Sequence, residues 1–201
     1  AQDIVNFFEV FRYQTLAEKL AFQVELTPYS RSEFLNARAE TNDRIEQARR
    51  LVVRAQMGFG SAGATKGNTG FRLDTARGGS DIVTIWQRQP EVIRQAAARL
   101  KKVLIENRDA IKVIQDHDRE DTLFFIDPPY VLDTRNMGGK AYRHEMSNAD
   151  HEQLINVLNS CKGKIILCGY DHTIYEALNW KKVIKSVAAA GQSGSVLREE
   201  I

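Results

Sequence analysis

The stretch "TLFFIDPPYVL", Thr122 to Leu132, decides how the rest of the chain is read. Leu123 to Ile126 are uninterruptedly apolar, as in a short strand buried on both faces of a parallel sheet. Asp127 follows at the strand's carboxyl end, where open α/β sheets collect their ligands. Pro128 and Pro129 then restrict the backbone, and Tyr130 adds a flat aromatic surface. An acid at a strand end is often only a turn former, and a proline pair only a chain stop. With the tyrosine they make a more specific device. The Asp127 carboxylate and the Pro128 carbonyl are two acceptors for an exocyclic amino group, beside a ring on which a planar base can stack. An aromatic amine is a poor nucleophile because its lone pair is delocalised into the ring. Two well-placed acceptors favour the pyramidal nitrogen whose lone pair points at an electrophile, which is catalysis by positioning and electrostatic preorganisation.

On either side of this ledge the texture is that of strand–helix alternation. "KVLIEN" (102–107) reads as a strand, "DAIKVIQDH" as a helix, "ADHEQLINVLNS" as a helix and "KIILCGY" as a strand. "TIYEALN" reads as a short helix, and "KKVIKSV" and "SVLREEI" as late strands. Such alternation predicts a parallel or mixed α/β sheet.

The first hundred residues read as helical instead. "DIVNFFEVFR" carries an apolar face behind Asp3 as a cap, and "QTLAEKLAFQVEL" continues to a stop at Pro28. Ser30 with Glu33 forms a capping-box pattern. "NDRIEQARRLVVRAQM" predicts a helix with a basic flank, and "PEVIRQAAARLKK" one with Pro90 in its first turn. Between these two lies the glycine-dense "GFGSAGATKGNTGFRLDTARGGSDI", read as an exposed loop or a hairpin with a long tip.

The net charge of +2 hides an asymmetry. From Arg44 to Lys102 there are twelve basic and four acidic residues, a surplus of eight positive charges, and the remainder carries six net negative ones. That pattern suggests a face made for a polyanion, with nucleic acid the expected partner. No apolar run is long enough to span a bilayer, and the amino-terminal residues have no basic leader, so neither a membrane nor secretion is expected. Cys161 and Cys168 are read as reduced thiols. His117, His144, His151 and His172 lie in unrelated local contexts, so no metal site is expected. "GFGSAG" has the glycine spacing of a phosphate-binding turn, but a helix precedes it and no helix can start in the residues that follow.

Asp127-Pro128-Pro129-Tyr130 behind an apolar strand resembles the catalytic motif of S-adenosylmethionine-dependent amino-methyltransferases. With "LTPYSRSEF" (26–34), "IENRDAIKVI" (105–114), "YRHEMSNADHEQL" (142–154) and "GKIILCGYD" (163–171), the chain resembles the Dam-type class of DNA N6-adenine methyltransferases. The resemblance implies a methyltransferase-like (Rossmann-like) α/β sheet, incomplete on its amino-terminal side. Residues 1–12 and 101–201 would form a partial catalytic domain, and 13–100 a mainly helical inserted target-recognition region. It further implies a DNA (adenine-N6) methyltransferase that acts on a flipped adenine. S-adenosylmethionine would be the donor, S-adenosylhomocysteine the product, and no metal would be needed. Asp127, Pro128, Pro129 and Tyr130 would be catalytic, with Asp109, Ala110 and Asp127 binding the cofactor; Asp109 alone could equally be a helix N-cap. Arg54, Lys66, Arg72, Arg77 and Arg143 would meet double-stranded DNA, and "YRHEM" would belong to a mobile loop near the flipped base. A cytoplasmic protein of bacterial or phage origin is the implied setting.

The chain departs from that class in one respect. The glycine-rich "FxGxG" turn and the ribose-holding acid expected ahead of "DIVNFFEVFR" are not seen, so residue 1 is read as falling just downstream of both. A non-catalytic DNA-binding fragment or a degenerate relative without a complete cofactor site therefore stays open, as does a complement from another chain. Amino-cytosine as the substrate is a further alternative, although Asp127 favours adenine.

Overall fold

The computed structural model describes residues 2–59, 69–73, 81–135, 144–191 and 194–201. The chain divides into two compact units, Ala1–Ile105 and Glu106–Ile201.

The first unit is helical: α1 (Gln2–Val10), α2 (Gln14–Glu25), α3 (Arg31–Asn36), α4 (Arg44–Met57), α5 (Ile82–Gln87) and α6 (Gln89–Leu100). Side-chain caps start several of these helices by satisfying amides that have no intrahelical partner. The Ser30 hydroxyl accepts from the Glu33 amide at 3.2 Å, as the capping pattern predicts. Asp43 accepts from Ile45 and Glu46 at 2.8 and 2.9 Å to open α4. The apolar faces of α1, α2, α4 and α6 meet in one core that includes Val10, Leu20, Val24, Phe34, Val53 and Met57. Asp3 is not a cap. It sits in the first turn of α1 and accepts from Gln47 at 3.3 Å and Arg54 at 2.9 Å, clamping α1 onto α4. Residues 2–10 thus pack within the helical unit, whereas the expected division set 1–12 apart with 101–201.

Helix α5 was not expected. Its signals sit at the end of the glycine-dense run: Asp81 caps it by accepting from the Val83 amide at 3.1 Å, and Ile82 and Trp86 share one buried face. The described ends of that run meet as a hairpin base. The Phe59 amide donates to the Gly70 carbonyl and the Arg72 amide to the Met57 carbonyl, both at 2.8 Å. Phe71 anchors the base, its ring 5.3 Å from Tyr29 and 5.8 Å from Phe34.

The second unit runs α7 (Ala110–His117), β1 (Leu123–Ile126), a 3-10 turn (Leu132–Thr134), α8 (Asn148–Ser160) and β2 (Lys164–Leu167). A second 3-10 turn (Thr173–Ala177) and the strands β3 (Lys185–Gly191) and β4 (Gly194–Glu200) follow. β1 and β2 are parallel, with Leu123 opposite Lys164 and Ile126 opposite Leu167, and β3 and β4 form an antiparallel pair. Gly169 and Ile201 exchange two backbone hydrogen bonds, at 3.1 and 2.8 Å, so the exit of β2 is also tied to the exit of β4.

Two sequence expectations change here. "KVLIEN" forms no strand: Val103, Leu104 and Ile105 are exposed and unladdered. Apolar β-branched sequence makes a strand only where a neighbour supplies its backbone partners, and among the described residues none pairs with 103–105. β1 is likewise covered on one face only. Phe124 and Ile126, with Ile165 and Leu167 of β2, turn toward the cluster of Ile114, Leu154 and Leu158 from α7 and α8. Leu123, Phe125 and Ile166 point the other way and are 62%, 68% and 47% exposed. An uninterrupted apolar run predicts two covered faces, and among the described residues only one is covered.

Candidate active site

The parallel register brings the carboxyl ends of β1 and β2 side by side. The Cys168 amide donates to the Ile126 carbonyl at 2.9 Å, extending the ladder to the last residue before Asp127. Asp127 then emerges exposed, and its carboxylate makes no hydrogen bond or ion pair with the described residues. Pro128, Pro129 and Tyr130 are half-buried, and Val131, 1% exposed, anchors the ledge on Ile155 and Tyr175.

Tyr130 does not stand alone. Tyr170, from the end of β2, meets it edge to face with ring centroids 4.7 Å apart and planes at 79°. Such pairs are favourable beyond the area they bury, and they hold ring orientation. Just before it, Gly169 allows a close approach, since a Cβ there would lie 3.2 Å from the ring and hydroxyl of Tyr175. Tyr170 carries the same signal as Tyr130, an aromatic at a strand's carboxyl end, but strand pairing is needed to bring the two together.

Beneath the ledge lie groups that sequence reading did not single out. Arg135 donates to the Tyr130 carbonyl and forms an ion pair with Glu145 at 2.8 Å; both side chains are 10% exposed. His151 of α8 is fully buried, edge to face with Tyr175 at 6.1 Å. Its pKa is depressed, first by burial and then by the positive charge of Arg135. It is therefore a neutral core imidazole at physiological pH. A cavity of about 230 Å³ opens beyond β2, lined by Gly169, His172, Tyr175, Trp180 and Lys182 among others.

Asp109 N-caps α7, its Oδ1 accepting from the Lys112 amide at 3.1 Å, with Ala110 as the first helical residue. The capping reading is therefore correct at the level of local structure. It leaves the exposed carboxylate's second oxygen outside that bond, so a further amino group can still be accepted there.

The residues named for DNA contact fare differently. Lys66, Arg77 and Arg143 lie outside the described residues. Arg72 is half-exposed at the hairpin base, where its carbonyl accepts from the Tyr29 hydroxyl at 2.8 Å. Arg54 is 13% exposed and turned inward, donating to Asp3 at 2.9 Å and to the Ala37 carbonyl at 2.7 Å. Its place on a basic helix flank did not say which way the side chain faces, and the fold uses it as an internal strut. Arg49 is used similarly. It donates to Glu33, Glu46 and Thr27, and those carboxylates, Glu46 foremost, raise its pKa.

Compared with known families, residues 2–189 match the D12 class of N6 adenine-specific DNA methyltransferases. No curated protein matches the chain. No described helix is long and apolar enough to cross a membrane.

Proposed function

Because the chain belongs to the D12 class of N6 adenine-specific DNA methyltransferases, we propose that the ledge at Asp127 holds a flipped adenine for methylation at N6. The observation that carries this reading is the exposed Asp127 carboxylate at the end of a parallel strand, followed by Pro128 and by Tyr130 braced on Tyr170. Target N6 donates one hydrogen to the carboxylate and the other to the Pro128 carbonyl, while the adenine ring lies on Tyr130. As the nitrogen becomes pyramidal its lone pair is directed out of the ring plane. Bond formation from N6 to the methyl carbon leaves a cationic nitrogen, whose proton passes to Asp127 or to water.

Asp109, Ala110 and Asp127 would hold S-adenosylmethionine in part, and it would supply the electrophilic methyl group, leaving the neutral thioether S-adenosylhomocysteine as the product. The donor set suits it: Asp109 has an oxygen to spare for an adenine amino group, and Asp127 is open to solvent. No metal is needed, since neither acidity nor an activated water enters the step.

Turning a base out of the duplex costs a few kcal/mol. Phosphate contacts from the basic first unit, and from Arg143 in the second, offset this and make binding salt-dependent. Arg72 with Lys66, Arg77 and Arg143 are the proposed contacts, joined by Arg88, Arg99, Lys101 and Lys102, which are exposed; Arg54 is left out.

The test is incubation of the full chain with radiolabelled S-adenosylmethionine and adenine-containing duplex DNA, followed by digestion to nucleosides. N6-methyldeoxyadenosine is expected. Asp127→Ala should lower transfer on the order of 10²–10³-fold or more, the scale of losing one transition-state electrostatic contact, while DNA affinity persists. A methylated cytosine product, or an undiminished Asp127→Ala enzyme, would overturn the assignment. DNA binding without transfer by the unaltered chain would favour the non-catalytic module.

A further inference from the structure

Two prolines do not finish the ledge. They set φ at 128 and 129 and bias the residues before them toward extended backbone. The torsions around Tyr130 are the first that the sequence leaves soft, and these aim both the stacking ring and the chain leaving it. The structure puts a charge-assisted clamp at this point. The chain turns back through the 3-10 turn at Leu132–Thr134, with the Thr134 amide and hydroxyl on the Val131 carbonyl at 3.1 and 2.7 Å. The Arg135 amide donates to the Leu132 carbonyl at 3.1 Å, and its guanidinium returns beneath the ledge to the Tyr130 carbonyl. Glu145 holds the same guanidinium from the other side, at 2.8 Å.

We propose that Arg135 and Glu145 form a positioning strut that sets the backbone torsion of Tyr130, and through it the orientation of the ring on which the target base stacks. The inference rests on the reading of Tyr130 given above. Three features distinguish the pair from an incidental ion pair. Both partners are 10% exposed, so each has lost most of its hydration, which is costly unless the remaining geometry is good. The arginine's donors diverge toward a backbone carbonyl and a carboxylate, which its planar guanidinium holds in one fixed geometry. The carbonyl it captures belongs to the ledge itself, five residues upstream. Arg135 touches no reacting atom and is a positioning residue.

The experiment compares Arg135→Met, Arg135→Lys, Glu145→Gln and the double variant Arg135→Met/Glu145→Met with the unaltered chain carrying ¹³C-labelled tyrosine rings. The Tyr130 ring resonances should shift and broaden in Arg135→Met, while those of Tyr29, in the other unit, stay in place. The rate of methyl transfer should fall on the order of 10- to 100-fold with KM for DNA nearly unchanged, as for a small misplacement of reacting groups. Arg135→Lys should recover part of the rate. The double variant removes both charges of the pair, so it should recover thermal stability but not rate. Unchanged Tyr130 resonances in Arg135→Met, or a double variant that regains rate together with stability, would overturn the strut. An unaltered chain that transfers no methyl group would defeat the proposed function, yet the ring resonances would still decide whether the strut sets Tyr130.

Discussion

The two units solve the burial problem in opposite ways. In the first, helices close on a continuous apolar core, and several of the charges that made its sequence look like a DNA surface are spent inside it. Arg49 and Arg54 are 14% and 13% exposed, each with carboxylate partners. In the second, among the described residues, a two-stranded parallel sheet is covered on one face, while Asp127 at the carboxyl end of β1 stays exposed. Charge density in a sequence therefore says little about where charge is displayed. An acid at the end of an apolar strand says more, because the strand's geometry forces it out of the ladder.

If this contrast is correct, the largest mutational loss belongs to the first core. Trp86 is 5% exposed, donates from Nε1 to the Thr27 carbonyl at 2.8 Å and lies edge to face with Tyr29. Trp86→Ala should cost about 3–5 kcal/mol in urea unfolding; a loss under about 1 kcal/mol would mean that the core is not closed there.

Arg49→Met comes next, leaving Glu33 and Glu46 without their shared cation. A loss of about 1–3 kcal/mol is expected, with little change in DNA affinity. A large drop in affinity at unchanged stability would instead place Arg49 on the DNA face and break the contrast.

In the second unit, Gly163→Ala should cost a similar or smaller amount, about 1–3 kcal/mol for overpacking. Its Cβ would lie 2.9 Å from the Phe124 ring and 3.1 Å from the carbonyls of Arg119 and Thr122. Phe124 belongs to the strand that presents Asp127, so the same variant should also reduce methyl transfer. Stability loss without rate loss would show the ledge to be insulated from its strand.

The smallest effects should separate the units by pH. His151 in the second unit is depressed below its usual 6.5 by burial. The unfolded chain thus binds the proton more readily, and stability is present above about pH 6.5 and lost as pH falls through the folded pKa. Tyr29 in the first unit is pushed up to about 12 by burial. There the folded state holds the proton more tightly, so stability is full below about pH 10, the ordinary tyrosine value, and lost as pH rises toward 12. Thermal melts of His151→Leu should lose the acid slope and those of Tyr29→Phe the alkaline one; slopes that survive these changes would assign the titrations to other groups.

Much of the second unit was legible from sequence because its signals are local. Four apolar residues make β1, and the acid, prolines and tyrosine after them make a ledge wherever the strand ends. Capping residues likewise announced α3, and Pro90 announced α6. What failed depended on neighbours. "VLIEN" has strand chemistry, but the described residues offer it no ladder partner. Arg54 has the helix position of a surface cation, but Asp3 and the Ala37 carbonyl take it inward.

The sequence by itself determined which chemistry could be built: a carboxylate, a fixed carbonyl and an aromatic ring in consecutive order at a strand's end. Tertiary structure alone decided what braces that chemistry. Parallel pairing brings Tyr170 against Tyr130, and the turn at Leu132–Thr134 returns Arg135, paired with Glu145, to the Tyr130 carbonyl. The physical reason is range. Backbone restriction by proline acts between adjacent residues, whereas ring contacts and charge-assisted hydrogen bonds need atoms within a few ångströms, and only the folded chain supplies that proximity.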